Sequence, residues 1–91
     1  MKKPEIRIGY FPKFVRKYRS LDKDFKKEIK EKIELLKDSK NHKSLKVHKL
    51  HGDFKGCYVF SVNYKTRIVF EYISKSEVVL LVIGDHDVYK K

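Results

Sequence analysis

One cysteine, Cys57, is the whole thiol complement of a 91-residue chain. No internal disulfide can form, and a lone thiol fits a reducing compartment better than a secreted scaffold, so the expected location is cytoplasmic. No uninterrupted apolar run approaches the length of a membrane span, and Met1-Lys2-Lys3-Pro4 is followed by no apolar export segment. Neither membrane insertion nor export by that route is expected. Glycine is scarce: Gly9, Gly52, Gly56 and Gly84 are scattered, which leaves no Walker loop, dinucleotide-binding pattern or nucleophile elbow. Nucleotide-cofactor enzymes are thereby set aside, and no small-molecule cofactor is expected. Four histidines are present, but His48 and His51 stand at i,i+3 with no second pair to complete a ligand set, and neither His42 nor His86 supplies one; no metal site is expected.

Acid is scarce as well. Twelve Asp and Glu face 23 Lys and Arg, a net charge of +11. The excess is local: residues 1 to 21 hold seven basic side chains and one acidic, residues 22 to 38 six of each, residues 39 to 67 seven and one, and residues 68 to 91 three and four. A merely soluble surface mixes its signs, so two separate basic runs predict a basic face for a polyanion, RNA above all, once folding brings them together. An apolar fraction of 41% and an aromatic fraction of 13%, spread along the chain, predict a folded globule, a single domain over residues 1 to 91.

Periodicity supplies the elements. Ile6 and Ile8 alternate with Arg7 and Gly9 in a strand over residues 5 to 10, and Pro12 suits a helix start. Phe14, Tyr18 and Leu21 mark a short amphipathic helix; Asp22 is the N-cap of a longer one, with Phe25, Ile29, Ile33 and Leu36 as its apolar stripe and Glu28 with Lys32 as an i,i+4 pair. After a polar loop, Leu45, Val47 and Leu50 predict a strand. Tyr58, Phe60, Val62 and Tyr64 then form a core-like aromatic face, followed by Ile68, Phe70 and Tyr72 opposite Arg67, Val69 and Glu71. The unbroken run from Val78 to Ile83 predicts a central strand covered on both faces. The order predicts an α+β fold, with two N-terminal helices on one face of a mostly antiparallel sheet and the other face left for function.

His48, Lys49, His51, Lys55, Arg67, His86 and Tyr89 are the chemistry-bearing side chains around that sheet. Cutting RNA through the ribose 2′-OH needs a group to take the 2′ proton, a cation for the charge that grows on phosphorus, and a donor for the 5′ oxygen. Histidine fills the first and third roles near neutral pH, and the arginine fork fits a phosphate. Strand parity puts Arg67 opposite Ile68 and Phe70, on the open face. His48 shares parity with Leu50, so a regular strand would turn it toward a core leucine.

Three stretches carry a resemblance: residues 45 to 56 (LKVHKLHGDFKG), residues 64 to 71 (YKTRIVFE) and residues 83 to 89 (IGDHDVY). Together they resemble the RelE/YafQ/ParE superfamily of type II toxins, and most of all its RelE and YafQ mRNA interferases. The resemblance implies a RelE-like β-α-α-β-β-β-β fold, cleavage of mRNA in the ribosomal A site, and neutralisation by a cognate antitoxin, with mRNA and ribosomal RNA as the other partners. It implies catalytic roles for His48, for Arg67 at the scissile phosphate, for His86 as general acid or base, and for Tyr89 as a stacking or supporting aromatic. Lys46, Lys49, His51, Lys55 and Lys65 would hold RNA. The chain departs from some YafQ-like toxins at Ser61, where they carry a second histidine, and at Lys65, where they carry an acid. The alternatives are a non-catalytic RNA-binding or antitoxin-binding module of the same fold and a ParE-like gyrase inhibitor.

Overall fold

The structure, a computed structural model, describes residues 5–52 and 56–85. Strand β1 (Arg7–Tyr10) leads through Phe11 into helix α1 (Pro12–Arg19). Pro12 at the first helical position needs no N–H partner, and the last turn sets Arg16, Lys17 and Arg19 against the negative end of the helix dipole. Helix α2 (Lys23–Leu36) is capped as expected: the Asp22 carboxylate accepts from the Phe25 N–H at 2.8 Å. A 3₁₀ turn (Ser39–Asn41) and a series of tight turns follow, and the chain then runs through strands β2 (His48–Lys49), β3 (Cys57–Ser61), β4 (Thr66–Ser74) and β5 (Glu77–Asp85). None of the helices among the described residues is long and apolar enough to cross a membrane.

The five strands form one sheet in the order β1-β5-β4-β3-β2. Three of its four pairings are antiparallel; β1 runs parallel to β5, with Ile8 opposite Val78 and Tyr10 opposite Leu80. β1 closes one edge of the sheet and β2 the other, so the edge strands that the two basic runs supply stand on opposite sides of it. Helix α1 packs over β5, whereas residues 39 to 67 build the far edge and its turns.

Helices and sheet enclose the main core. Ile29, Ile33 and Leu36 of α2 and Phe14 of α1 meet Phe60, Ile68, Phe70, Val78, Leu80 and Ile83. Four aromatic rings line its centre, with Phe70 within 6 Å, centroid to centroid, of Tyr58, Phe60 and Tyr72. Two expectations need correction here. Tyr64 is not on the aromatic face: β3 ends at Ser61, and Tyr64 is 88% exposed in the turn that follows. The strand predicted around residues 45 to 50 is only His48–Lys49, because Lys46 adopts a left-handed backbone (φ 58°) that breaks the extended run.

The run from Val78 to Ile83 does lie between two neighbours, but it is not a regular strand. Val82 pairs with Val69 and Leu80 with Phe70, so Leu81 is an extra residue in β5. The bulge lets Leu80 and Ile83, three apart, both reach the main core, while Leu81 and Val82 pack on the opposite face against Leu50, Val59 and Val69.

Candidate functional site

Among the described residues no helix lies on that opposite face, and its residues follow from the register. Cross-strand partners share a face, so one row runs His48, Val59, Val69, Val82, and the next runs Ser61, Arg67, Gly84. Two strand spacings and two residues along the sheet place the Cα atoms of His48 and Arg67 about 12 Å apart. Both side chains thus stand beside a floor of valines, of which Val59 and Val69 are fully buried. The parity conflict is resolved in a way the sequence did not suggest. His48 does share its side with a buried leucine, and Leu50 belongs to the small cluster under the open face.

Arg67 is held by dipoles. Its Nη1 donates to the backbone carbonyls of Asn63 at 2.6 Å and Thr66 at 3.2 Å, in the β3–β4 turn. Arg67 takes part in none of the ion pairs among the described residues, which are Arg7–Glu77, Lys37–Glu34 and Lys40–Asp38. Glu71, a possible partner two positions along the same face, therefore does not cancel its charge. Gly84, directly opposite, has no side chain to crowd the guanidinium. The arrangement keeps a full positive charge at the rim of an apolar floor, where a low local dielectric strengthens its pull on an anion.

His48 is exposed, and its Nδ1 lies 3.0 Å from the Lys46 carbonyl. A carbonyl only accepts, so Nδ1 is the proton-bearing nitrogen, and in the neutral ring Nε2 is the basic one. The left-handed backbone of Lys46 belongs to the same arrangement, since it lies in the residue whose carbonyl accepts that hydrogen bond.

The remaining sequence-predicted residues distribute unevenly. Lys46 and His51 are exposed on the segments flanking β2, and Lys65 is exposed in the β3–β4 turn. Lys49 pairs with Tyr58, whose ring belongs to the helix-side core, so it stands on the opposite side of the edge strand from His48. Lys55, His86 and Tyr89 lie outside the described residues. Glu28 does not pair with Lys32; its Oε1 accepts from the Asn63 side-chain amide at 3.2 Å. Among the described residues no group of three His, Cys, Asp or Glu is gathered as a metal site. Sequence reasoning passed over Asn63, although an asparagine just after a strand is a turn former. Its Oδ1 accepts from the N–H groups of Lys65 at 2.9 Å and Thr66 at 2.8 Å.

The fold as a whole recurs in solved structures. YafQ from E. coli strain BL21(DE3) superposes with a TM-score of 0.75 at 17% identity, over 94% of this chain and 99% of that one. The chain has the RelE/YafQ fold. The same fold is seen in an archaeal RelE–RelB complex from Pyrococcus horikoshii OT3 (TM-score 0.70, 17% identity, 91% of this chain and 97% of that one). It is seen again in a YoeB–YefM complex from Staphylococcus aureus (TM-score 0.70, 19% identity, 89% and 97%). No sequence-family model and no curated protein sequence matches the chain. What this chain shares with these structures is the fold, at 17–19% sequence identity.

Proposed function

We propose that the chain is the toxin of a type II toxin–antitoxin pair, an endoribonuclease that cuts mRNA in the ribosomal A site by acid–base chemistry through the ribose 2′-OH. The observation that carries this reading is Arg67 on the open face, in no ion pair among the described residues, with His48 one row away beside a floor of valines. Arg67 would bind the scissile phosphate and stabilise the charge that develops on it. His48, whose Nδ1 donates to the Lys46 carbonyl, would take the 2′ proton. His86 would protonate the 5′ oxygen and Tyr89 stack on a base, roles that rest on the IGDHDVY resemblance. Exposed Lys46, His51 and Lys65, together with Lys49 and Lys55, would hold mRNA and ribosomal RNA in a salt-sensitive manner. The RelE–RelB and YoeB–YefM assemblies support a cognate antitoxin as partner, and the cytoplasm is where such a pair would act.

The second reading, an RNA-binding protein of this fold without cleavage, draws on Ser61. It stands directly opposite Arg67, at the position where some YafQ-like toxins carry a second histidine.

One experiment separates the two. Primer extension on translated mRNA after expression of the chain should reveal ribosome-phased cuts. Arg67→Ala should weaken them by about 100-fold or more, and Arg67→Lys, which lacks the planar fork, should restore them poorly. RNA binding without cuts selects the second reading; cuts that persist in Arg67→Ala remove Arg67 from the site.

A further inference from the structure

Arg67 reaches its position through a turn that is itself tied to a helix. Val62 N–H donates to the Thr66 carbonyl at 2.9 Å and closes the β3–β4 connection. Inside it, the Asn63 side chain is used at both ends. Its oxygen accepts from the N–H groups of Lys65 and Thr66, and its amide nitrogen donates to Glu28 Oε1, 35 residues away on α2. The main-chain carbonyl of the same residue accepts from Arg67 Nη1 at 2.6 Å.

These contacts form one path from Glu28 of α2 through Asn63 to the guanidinium. Backbone hydrogen bonds alone close the turn, but nothing in them fixes the direction of the Asn63 carbonyl. The two N–H bonds to Oδ1 restrict it, because they hold the next two peptide units, 64–65 and 65–66, against the side chain of Asn63 and leave the 63–64 unit between fixed points. Neutral carbonyls then orient the guanidinium without reducing its charge, which a carboxylate in the same place would do.

We propose that Asn63, anchored by Glu28, is the positioning residue for Arg67. It sets where the guanidinium sits relative to a phosphate on the open face without touching that phosphate itself. The inference rests on Arg67 acting at the phosphate, and the test below keeps the two ideas apart.

Purified full-length chain would be assayed for mRNA cleavage on programmed ribosomes, with kcat and KM determined separately, for the wild type and for Asn63→Ala, Asn63→Asp and the double variant Glu28→Gln with Asn63→Asp. Asn63→Asp keeps the acceptor for the turn but faces Glu28 with a second carboxylate; adding Glu28→Gln returns a donor to that contact. Expected are a fall in kcat of about 10- to 100-fold for Asn63→Ala with KM within about twofold, a smaller fall for Asn63→Asp, and recovery in the double variant. In parallel, ¹⁵N exchange of the Arg67 guanidinium by NMR should report restricted Nη rotation in the wild type and the double variant and faster rotation in Asn63→Ala.

An unchanged kcat in Asn63→Ala, a loss confined to KM, or no recovery in the double variant would overturn the proposal. If the wild type cleaves nothing, the nuclease reading fails and the NMR measurement alone decides, with equal Nη rotation in wild type and Asn63→Ala sinking the positioning role. If Asn63→Ala does not fold, the Asn63→Asp variant and its rescue carry the same test.

Discussion

On the helix side of the sheet thirteen buried residues form one continuous core: ten from the two helices and from β3, β4 and β5, with Ile6, Leu45 and Val62 from the connecting segments. On the open side three buried residues, Leu50, Val59 and Val69, form a small cluster beside the row of Ser61, Arg67 and Gly84. The same strands supply both faces, by an alternation interrupted at the Leu81 bulge, so the difference does not lie in their hydrophobicity. It lies in what covers them. Amphipathic helices bury the first face; the second is left to its own side chains and is apolar only in the middle. Stability is therefore concentrated on one side, and the other can hold a charged group at a surface position without having to bury it.

The sharpest way to break this contrast is to cut a large side chain from each face. Phe70 is fully buried on the helix side within a cluster of three other rings, and Phe70→Ala should cost about 3–5 kcal/mol. For a domain of this size, with roughly 5–14 kcal/mol in total, that is a large share of all stability. Val59→Ala, also at a fully buried position but on the open side, should cost only about 1–2 kcal/mol, since fewer atoms are lost and the cluster can close over the gap. Urea denaturation of the two variants checks both. Equal losses would mean that the open face contributes to the fold as much as the helix side does. Arg67→Ala should lie below both, within about 1 kcal/mol of the wild type, because it removes bonds to carbonyls in an accessible turn. A large activity loss with so small a stability loss would mark the open face as functional surface.

The helix side was legible in the sequence for the same reason that it is stable. A face covered by helices forces a strict period: Ile29, Ile33 and Leu36 at helical spacing, Ile68, Phe70 and Tyr72 at strand spacing. Asp22 was readable as a cap because its role is settled by the next three residues. What stayed hidden is non-local or concealed in uniform sequence. The parallel pairing of β1 with β5 joins residues about 70 apart and leaves no local signal. The extra Leu81 lies inside an unbroken apolar run, where a shift of parity changes no residue class. On the open face, Arg67 followed from parity alone, and Leu50 was misjudged because a buried leucine was taken to mean the main core. The Glu28–Asn63 contact spans 35 residues, and Glu28 on its own helix looked like half of an i,i+4 pair.

The smallest effect comes from the groups whose proton affinity the two faces alter. Burial, reinforced by the nearby Glu71 charge, pushes the Cys57 thiol up from its ordinary 9.0, on the open side. Burial likewise raises Tyr72, with a further push from Tyr58, and raises Tyr10, both above 10.0. In each case the folded state holds its proton more tightly than the unfolded chain. The stability this contributes is complete below the unfolded value and is lost as pH rises through the folded one. The melting temperature should therefore decline from about pH 9 upward, beginning with the thiol and steepening as the phenols follow. Cys57→Ser should remove the early part of the decline and leave the later part, while Tyr72→Phe should blunt the later part alone. A melting profile flat to pH 11, or an early decline unaffected by Cys57→Ser, would mean that the open-side cluster does not hold the thiol out of water.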